Sequence, residues 1–356
     1  MASTGARFQR CVYRSWHGTQ ESHLQPPLHG SAQVTGLYLA ALGLLAGVIG
    51  LYLGAHWLVF GAAGLGRTIG ARPIVVGLTV VSLGTSAPEL VVCVLAAIGG
   101  SSDLAIGNAL GSNLANVGLI LAVTAIVQPL GVNRRMVVRE IPAMLAITVL
   151  AYPLIADQYA SRLDGAVLLG VLVIYLGALL RSARRETPEI LKEFEAFSED
   201  DARAKPTSVT KNVLLVLLGS GLLVLGGRLI VVSAIDIATG MGISELLIGG
   251  TVVAIGTSLP ELATSVVAAT RNEADIAVGN VIGSNIFNLT AVLGTAAVIE
   301  PLSVASGVLG REFLAMFILS ALVWPMAWSA LKVRRWEGVT LLALYAVFWL
   351  WLGGSA

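Results

Sequence analysis

Ten apolar runs, each close to bilayer thickness, leave this chain few ways to fold. They fall at about 36–62, 73–99, 104–127, 136–156, 163–180, 212–238, 244–269, 275–298, 310–330 and 338–353. Roughly 20 apolar residues cross a hydrocarbon core as a helix, where every backbone polar group must be satisfied within the protein. A barrel would alternate apolar and polar positions over segments of about ten residues, and these runs do not alternate. Only 12% of the residues are charged, against about 25% in soluble domains. The expected fold is an all-α polytopic membrane protein with ten transmembrane helices. Its 40 glycines suit close helix packing in lipid.

Residues 1–35 read as a polar N-terminal tail: Arg7, Arg10 and Arg14 are present without the apolar stretch of a signal peptide. Cys11 in this tail and Cys93 inside a span are not expected to pair. No basic patch carries interleaved aromatics, so no nucleic-acid partner is expected, and nothing points to an obligate protein partner. If the spans alternate, sixteen Lys and Arg residues collect on one side: Arg67, Arg72, Arg134, Arg135, Arg139, seven within 181–211, Arg271, Lys332, Arg334 and Arg335. Five collect on the other: Arg7, Arg10, Arg14, Arg162 and Arg311. The richer side is expected to be cytoplasmic, with both termini outside. The charged stretch 181–211 then reads as a cytoplasmic linker, with Ile190, Leu191, Phe194 and Phe197 on the apolar face of a short surface helix.

The chain also repeats itself. Gly84-Thr85-Ser86-Ala87-Pro88-Glu89-Leu90 returns as Gly256-Thr257-Ser258-Leu259-Pro260-Glu261-Leu262, an offset of 261 − 89 = 172. Ten of fourteen positions agree between 77–90 and 249–262, and eight of sixteen between 103–118 and 275–290. The register persists at Pro129/Pro301 and Arg139-Glu140/Arg311-Glu312. Five spans per copy is an odd number, so the second copy must enter the membrane from the opposite side. The units are a first five-helix repeat at 36–180 and a second at 212–356. Inverted repeats of this kind are a recurring plan of secondary transporters, with the substrate near the midplane between them.

Each copy places one carboxylate, Glu89 or Glu261, within an apolar helix. A charge there costs roughly 2.5–3.5 kcal/mol on insertion scales and by default marks function. Residues three and four apart share a helix face, so Thr85 and Ser86 stand beside Glu89, and Thr257 and Ser258 beside Glu261. Pro88 and Pro260 lack an N–H, which frees the carbonyls of Gly84 and Gly256. In the next span of each copy, Ser112 with Asn116 and Ser284 with Asn288 add hydroxyl and amide oxygens. Asn108, Asn113, Asn280 and Asn285 flank them and are expected to tie helices together. Asp103 and Asp275 are expected to cap helix N-termini, and Asp236 to lie in a loop with Glu245.

The set is all oxygen, without His or Cys, which excludes a typical zinc or copper centre. It suits Ca2+, which takes about 6–8 oxygens, and Na+ of similar size. Two glutamates supply a charge of −2, matched by one Ca2+ or two Na+. An empty doubly charged site is costly to move through a low-dielectric barrier, so crossing is expected only when it is loaded, as in obligatory exchange. Protons on the glutamates remain a rival counter-ion.

These motifs resemble the α-repeats of the sodium/calcium exchanger family, within the cation/calcium antiporter superfamily, from about residue 40 onward. The absence of a long cytoplasmic regulatory domain resembles the short prokaryotic type and implies a bacterial inner (plasma) membrane. The resemblance implies Ca2+ and Na+ as substrates and no cofactor. It implies ion ligands at Thr85, Ser86, Glu89, Ser112, Asn116, Thr257, Ser258, Glu261, Ser284 and Asn288, with the carbonyls of Ser82 and Ala254. It further implies that the first and sixth helices slide as a pair over the other eight. Potassium-dependent members, and some potassium-independent ones, carry Asp where this chain has Asn288; the neutral amide removes one charge that could hold K+, so the resemblance implies potassium-independent exchange. A Ca2+/H+ antiporter is the alternative. A cation channel fits less well, because acidic rings in channels arise from oligomeric symmetry. An enzyme is not expected: no HExxH or Gly-x-Ser-x-Gly is present, and His17, His23 and His29 lie in the tail.

Overall fold

The computed structural model describes residues 30–69, 71–185, 208–240, 256–304 and 311–353. Helix α1 is Gly30–Ile69, α2 Pro73–Thr85, α3 Ala87–Ile98, α4 Ser102–Val127, α5 Met136–Ile155 and α6 Arg162–Arg185. Helix α7 is Val209–Gly240, α8 Leu259–Thr270, α9 Ala274–Ile299, α10 Glu312–Ala330 and α11 Arg335–Gly353. Among the described residues, seven helices are long and apolar enough to cross a membrane. The number is eight when α2 and α3, bent by 46° at Ser86, form one broken span. The chain is an integral membrane protein.

Helices α4 and α9 form the centre. Their most apolar windows are 72% and 78% buried, against 33% for α1 and 28% for α7. On the outer two, Leu42, Leu45, Ile49, Leu217, Leu218 and Leu225 stand exposed, as expected of side chains facing lipid.

Helices α1 and α7 run antiparallel and touch through backbone. A Cβ at Gly47 would lie 2.8 Å from Gly226 O, one at Gly54 2.9 Å from Gly219 O, and one at Gly61 2.8 Å from Asn212 O. Both series step by seven residues, the spacing at which one seam of a helix keeps facing its neighbour. Small residues, glycine above all, allow two helices this close. The pair lies against the bend: Ser220 Oγ would be 2.6 Å from a Cβ at Gly84, and Val231 fills the space beside Gly256.

Two short ribbons close the bundle. Strand β1 (Leu130–Gly131) pairs antiparallel with β4 (Lys332–Val333), and β2 (Tyr159–Ala160) pairs antiparallel with β3 (Leu302–Ser303). Because β1 precedes α5 and β2 follows it, the ribbons sit at opposite ends of that helix. The β1–β4 end also gathers Gln128, whose Nε2 donates to Asn272 Oδ1 at 3.1 Å.

Some local expectations are corrected. Helix α1 begins at Gly30, ahead of the apolar run, because extending an existing helix adds one hydrogen bond per residue without a new nucleus. Asp103 and Asp275 lie inside the first turns of α4 and α9, where Ser101 and Glu273 hold the cap positions. A carboxylate there faces the positive end of the helix dipole. Asp236 sits in α7, not in a loop. Ala254, Glu245, the first part of the expected span 244–269, and Ile190, Leu191, Phe194 and Phe197 lie outside the described residues.

Candidate ion-binding site

The site is built around two helix starts. Ser86 at φ −82°, ψ 5° interrupts the helix between α2 and α3, and Ser258 at φ −89°, ψ 1° leads into α8 in the same way. Pro88 and Pro260 occupy the second position of the helices that follow, where an N–H would have no intrahelical partner. Glu89 and Glu261 come next, in the first turns, each 1% exposed. The positive end of each helix dipole points at its carboxylate.

The two copies meet across the interface. Ser86 Oγ donates to Glu261 Oε1 at 3.2 Å, and Thr85 Oγ1 donates to Asn280 Oδ1 at 3.1 Å. Asn116 Nδ2 donates to Asn285 Oδ1 at 3.0 Å. Asn113 Nδ2 donates to Asn285 O at 3.1 Å, so two residues related by the 172-residue offset touch each other. Asn116 and Asn288 open π-helical turns, Asn116–Leu121 and Asn288–Val292, and both side chains are buried. Ser112 and Ser284 are buried one turn earlier. Ser82 is more occupied than expected: its hydroxyl donates to Gly77 O at 2.6 Å, and its carbonyl accepts from Ser86 N at 2.9 Å.

Many of these buried atoms have no hydrogen-bond partner among the described residues. They are both oxygens of Glu89, Glu261 Oε2, Ser258 Oγ, Ser284 Oγ, Asn116 Oδ1 and both polar atoms of Asn288. A buried polar group left unpaired costs about 1–3 kcal/mol. Seven such oxygens, carried by α3, α4, α9 and the start of α8, are poor for folding and suitable as ligands for a hard cation. No cluster of three or more His, Cys, Asp or Glu occurs among the described residues. A cation here would therefore be held by two carboxylates and neutral oxygens.

A family model described as sodium/calcium exchanger protein matches residues 39–181 and 211–354. The chain belongs to this family. Inner membrane protein YrbG of Escherichia coli is 37% identical over 294 residues, covering 82% of this chain and 90% of YrbG. Sodium/calcium exchanger MaX1 of Methanosarcina acetivorans is 32% identical over 335 residues, covering 86% of this chain and 96% of MaX1. Structures of the sodium-calcium exchanger NCX_Mj superpose with a TM-score of 0.75 at 32% identity, covering 87% of this chain and 97% of that one. This exchanger-family chain is thus a cation/calcium antiporter, and MaX1 and NCX_Mj are named as exchangers rather than enzymes.

The flanking asparagines tie helices together, as expected. Asn108 Nδ2 donates to Glu89 O (3.4 Å) and Cys93 Sγ (3.2 Å), and Asn280 Nδ2 to Glu261 O (3.4 Å) and Ser265 Oγ (3.0 Å). The role of Ser265 was not read from the sequence, although Cys93 and Ser265 share the 172-residue offset. A second buried polar group also escaped it. Arg135 Nε lies 3.2 Å from Glu140 Oε1, and Tyr175 Oη donates to Glu140 Oε2 at 2.9 Å, joining α5 to α6. The retained Arg139-Glu140/Arg311-Glu312 pair was its only trace in the sequence.

Proposed function

We propose that this protein exchanges Ca2+ for Na+ across the membrane by alternating access, independently of K+. The observation that carries the reading is the set of partnerless buried oxygens around Glu89 and Glu261. The ligands are Glu89, Glu261, Thr85, Ser86, Thr257, Ser258, Ser112, Asn116, Ser284 and Asn288, with the carbonyls of Ser82 and Ala254. Two carboxylates balance one Ca2+ or two Na+, so the two loads compete for one site.

The ten-span, inverted organisation is part of this proposal, and the ribbons support it. Adding 172 to β1 gives β3, and adding 172 to β2 gives β4 within one residue. Since β3 pairs with β2 and not with β1, a strand and its duplicate lie at opposite ends of α5. In this arrangement 36–180 and 212–356 are the two repeats, and α1 and α7 are the pair that slides. Arg134, Arg135, Arg139, Arg334 and Arg335 flank the β1–β4 end, which is therefore the cytoplasmic face. The linker lies on that side and the termini outside, in an inner membrane if the cell is bacterial.

In proteoliposomes, an imposed outward Na+ gradient will drive uptake of radiolabelled Ca2+, and a pH gradient alone will not. Uptake driven by pH without Na+ would replace this reading with Ca2+/H+ exchange. Uptake will be the same with and without K+. Asn288→Asp adds a third carboxylate to a site of matched charge, so its uptake will become dependent on K+. A variant indifferent to K+ would remove Asn288 from the charge balance.

A further inference from the structure

The duplicated motif adopts two different arrangements within one molecule. On one side, the hydroxyls of the first copy bond across to the second: Thr85 to Asn280 Oδ1 and Ser86 to Glu261 Oε1. On the other, Ser258 Oγ and both Glu89 oxygens have no partner, and no bond joins Thr257 to Asn108 among the described residues. Composition does not explain the difference, because Thr, Ser, Glu and Asn occupy the same places in both copies. Both asparagines also anchor alike, each to the carbonyl of its own glutamate and to the side chain one turn further on.

We propose that Asn280 and Asn108 are positioning residues that alternate. In the state described here, Asn280 holds the Thr85 hydroxyl hydrogen, turning the oxygen lone pairs of Thr85 toward the ion. In the opposite state, Asn108 holds Thr257 and Ser258 bonds to Glu89, while Thr85 and Ser86 are released. The anchors to Glu261 and Glu89 keep each carboxylate in step with the threonine across from it. This inference rests on the inverted-repeat exchange proposed above. It adds that one hydrogen bond on each side helps to set the balance between the two states, through residues outside the ligand set.

The test is sidedness. Asn280→Ala removes a bond present only in the state described here, and Asn108→Ala removes one present only in the other. In sealed vesicles of defined orientation, the ratio of the Ca2+ KM values at the two faces will move one way in Asn280→Ala and the opposite way in Asn108→Ala. Each shift will be roughly two- to tenfold, the range that one hydrogen bond commands. The double variant will return the ratio toward that of the unaltered protein. Ser265→Ala and Cys93→Ala, which loosen the anchors while keeping both asparagines, will give smaller shifts of the same signs and decide the matter if an asparagine variant does not fold. An equal loss at both faces, or no change in the ratio, would show that the asparagines merely hold the fold. Hydrogen exchange on the full-length, ion-free protein reads the same balance without transport: the β1–β4 and β2–β3 ends will change protection with opposite signs in the two variants. Had the unaltered protein no Na+-driven Ca2+ uptake, the exchange reading would fall. Protection changes of one sign in both variants would overturn the alternation by itself.

Discussion

Glu261→Gln will abolish Na+-driven Ca2+ uptake while leaving a folded protein, and Glu89→Gln will do the same. Each side chain is 1% exposed and lies at a helix start where few other groups could hold a positive charge. At an effective dielectric of about 20, one unit charge pair at 4 Å is worth roughly 4 kcal/mol, or about a thousandfold in affinity. The amide keeps the shape and still accepts the Ser86 hydroxyl, so the loss falls on ion binding rather than on packing. Without ions, the variant loses a charge that would otherwise be buried beside another, and its thermal stability will equal or exceed that of the unaltered protein. Saturating Ca2+, which stabilises a binder by about 2.7 kcal/mol at a hundred times Kd, will raise Tm in the unaltered protein only. A Glu261→Gln protein that transports at full rate would take both carboxylates out of the site.

Gly219→Val will separate α1 from α7 and sharply slow transport. A Cβ there would lie 2.6 Å from Leu58 N and 2.8 Å from Gly54 O. Both obstacles are backbone and cannot rotate away, so the helices themselves must move. Overpacking of this kind costs roughly 1–3 kcal/mol. The displaced pair would also lose its seat at the bend, where Ser220 touches Gly84 and Val231 touches Gly256. Uptake is expected to fall at least about tenfold, in keeping with a barrier raised by that amount, with a lowered Tm. Gly221→Ala is the matched control: it lies on the same helix, exposed, with nothing within 4 Å of a new Cβ, and will alter neither. If Gly219→Val transported normally, the glycine seam would be a packing accident rather than the hinge of a sliding pair.

The helical class, the carbonyls freed by Pro88 and Pro260, and the oxygen-rich stretches around both glutamates were readable in the sequence. Each rests on short-range pattern. Hydropathy over about 20 residues reports the solvent a segment will meet, Gly and Pro report where a helix cannot continue, and a repeat at fixed offset reports a shared plan whatever the fold. Partner choice is different. That Asn280 receives Thr85 while Asn108 does not receive Thr257, and that Glu140 receives the Tyr175 hydroxyl, depend on segments 35 to 195 residues apart. Local sequence carries no record of which of two identical motifs will be the bonded one. Only packing decides that, because a hydrogen bond needs both atoms in one place, and the tertiary fold brings Thr85 to Asn280 without bringing Thr257 to Asn108.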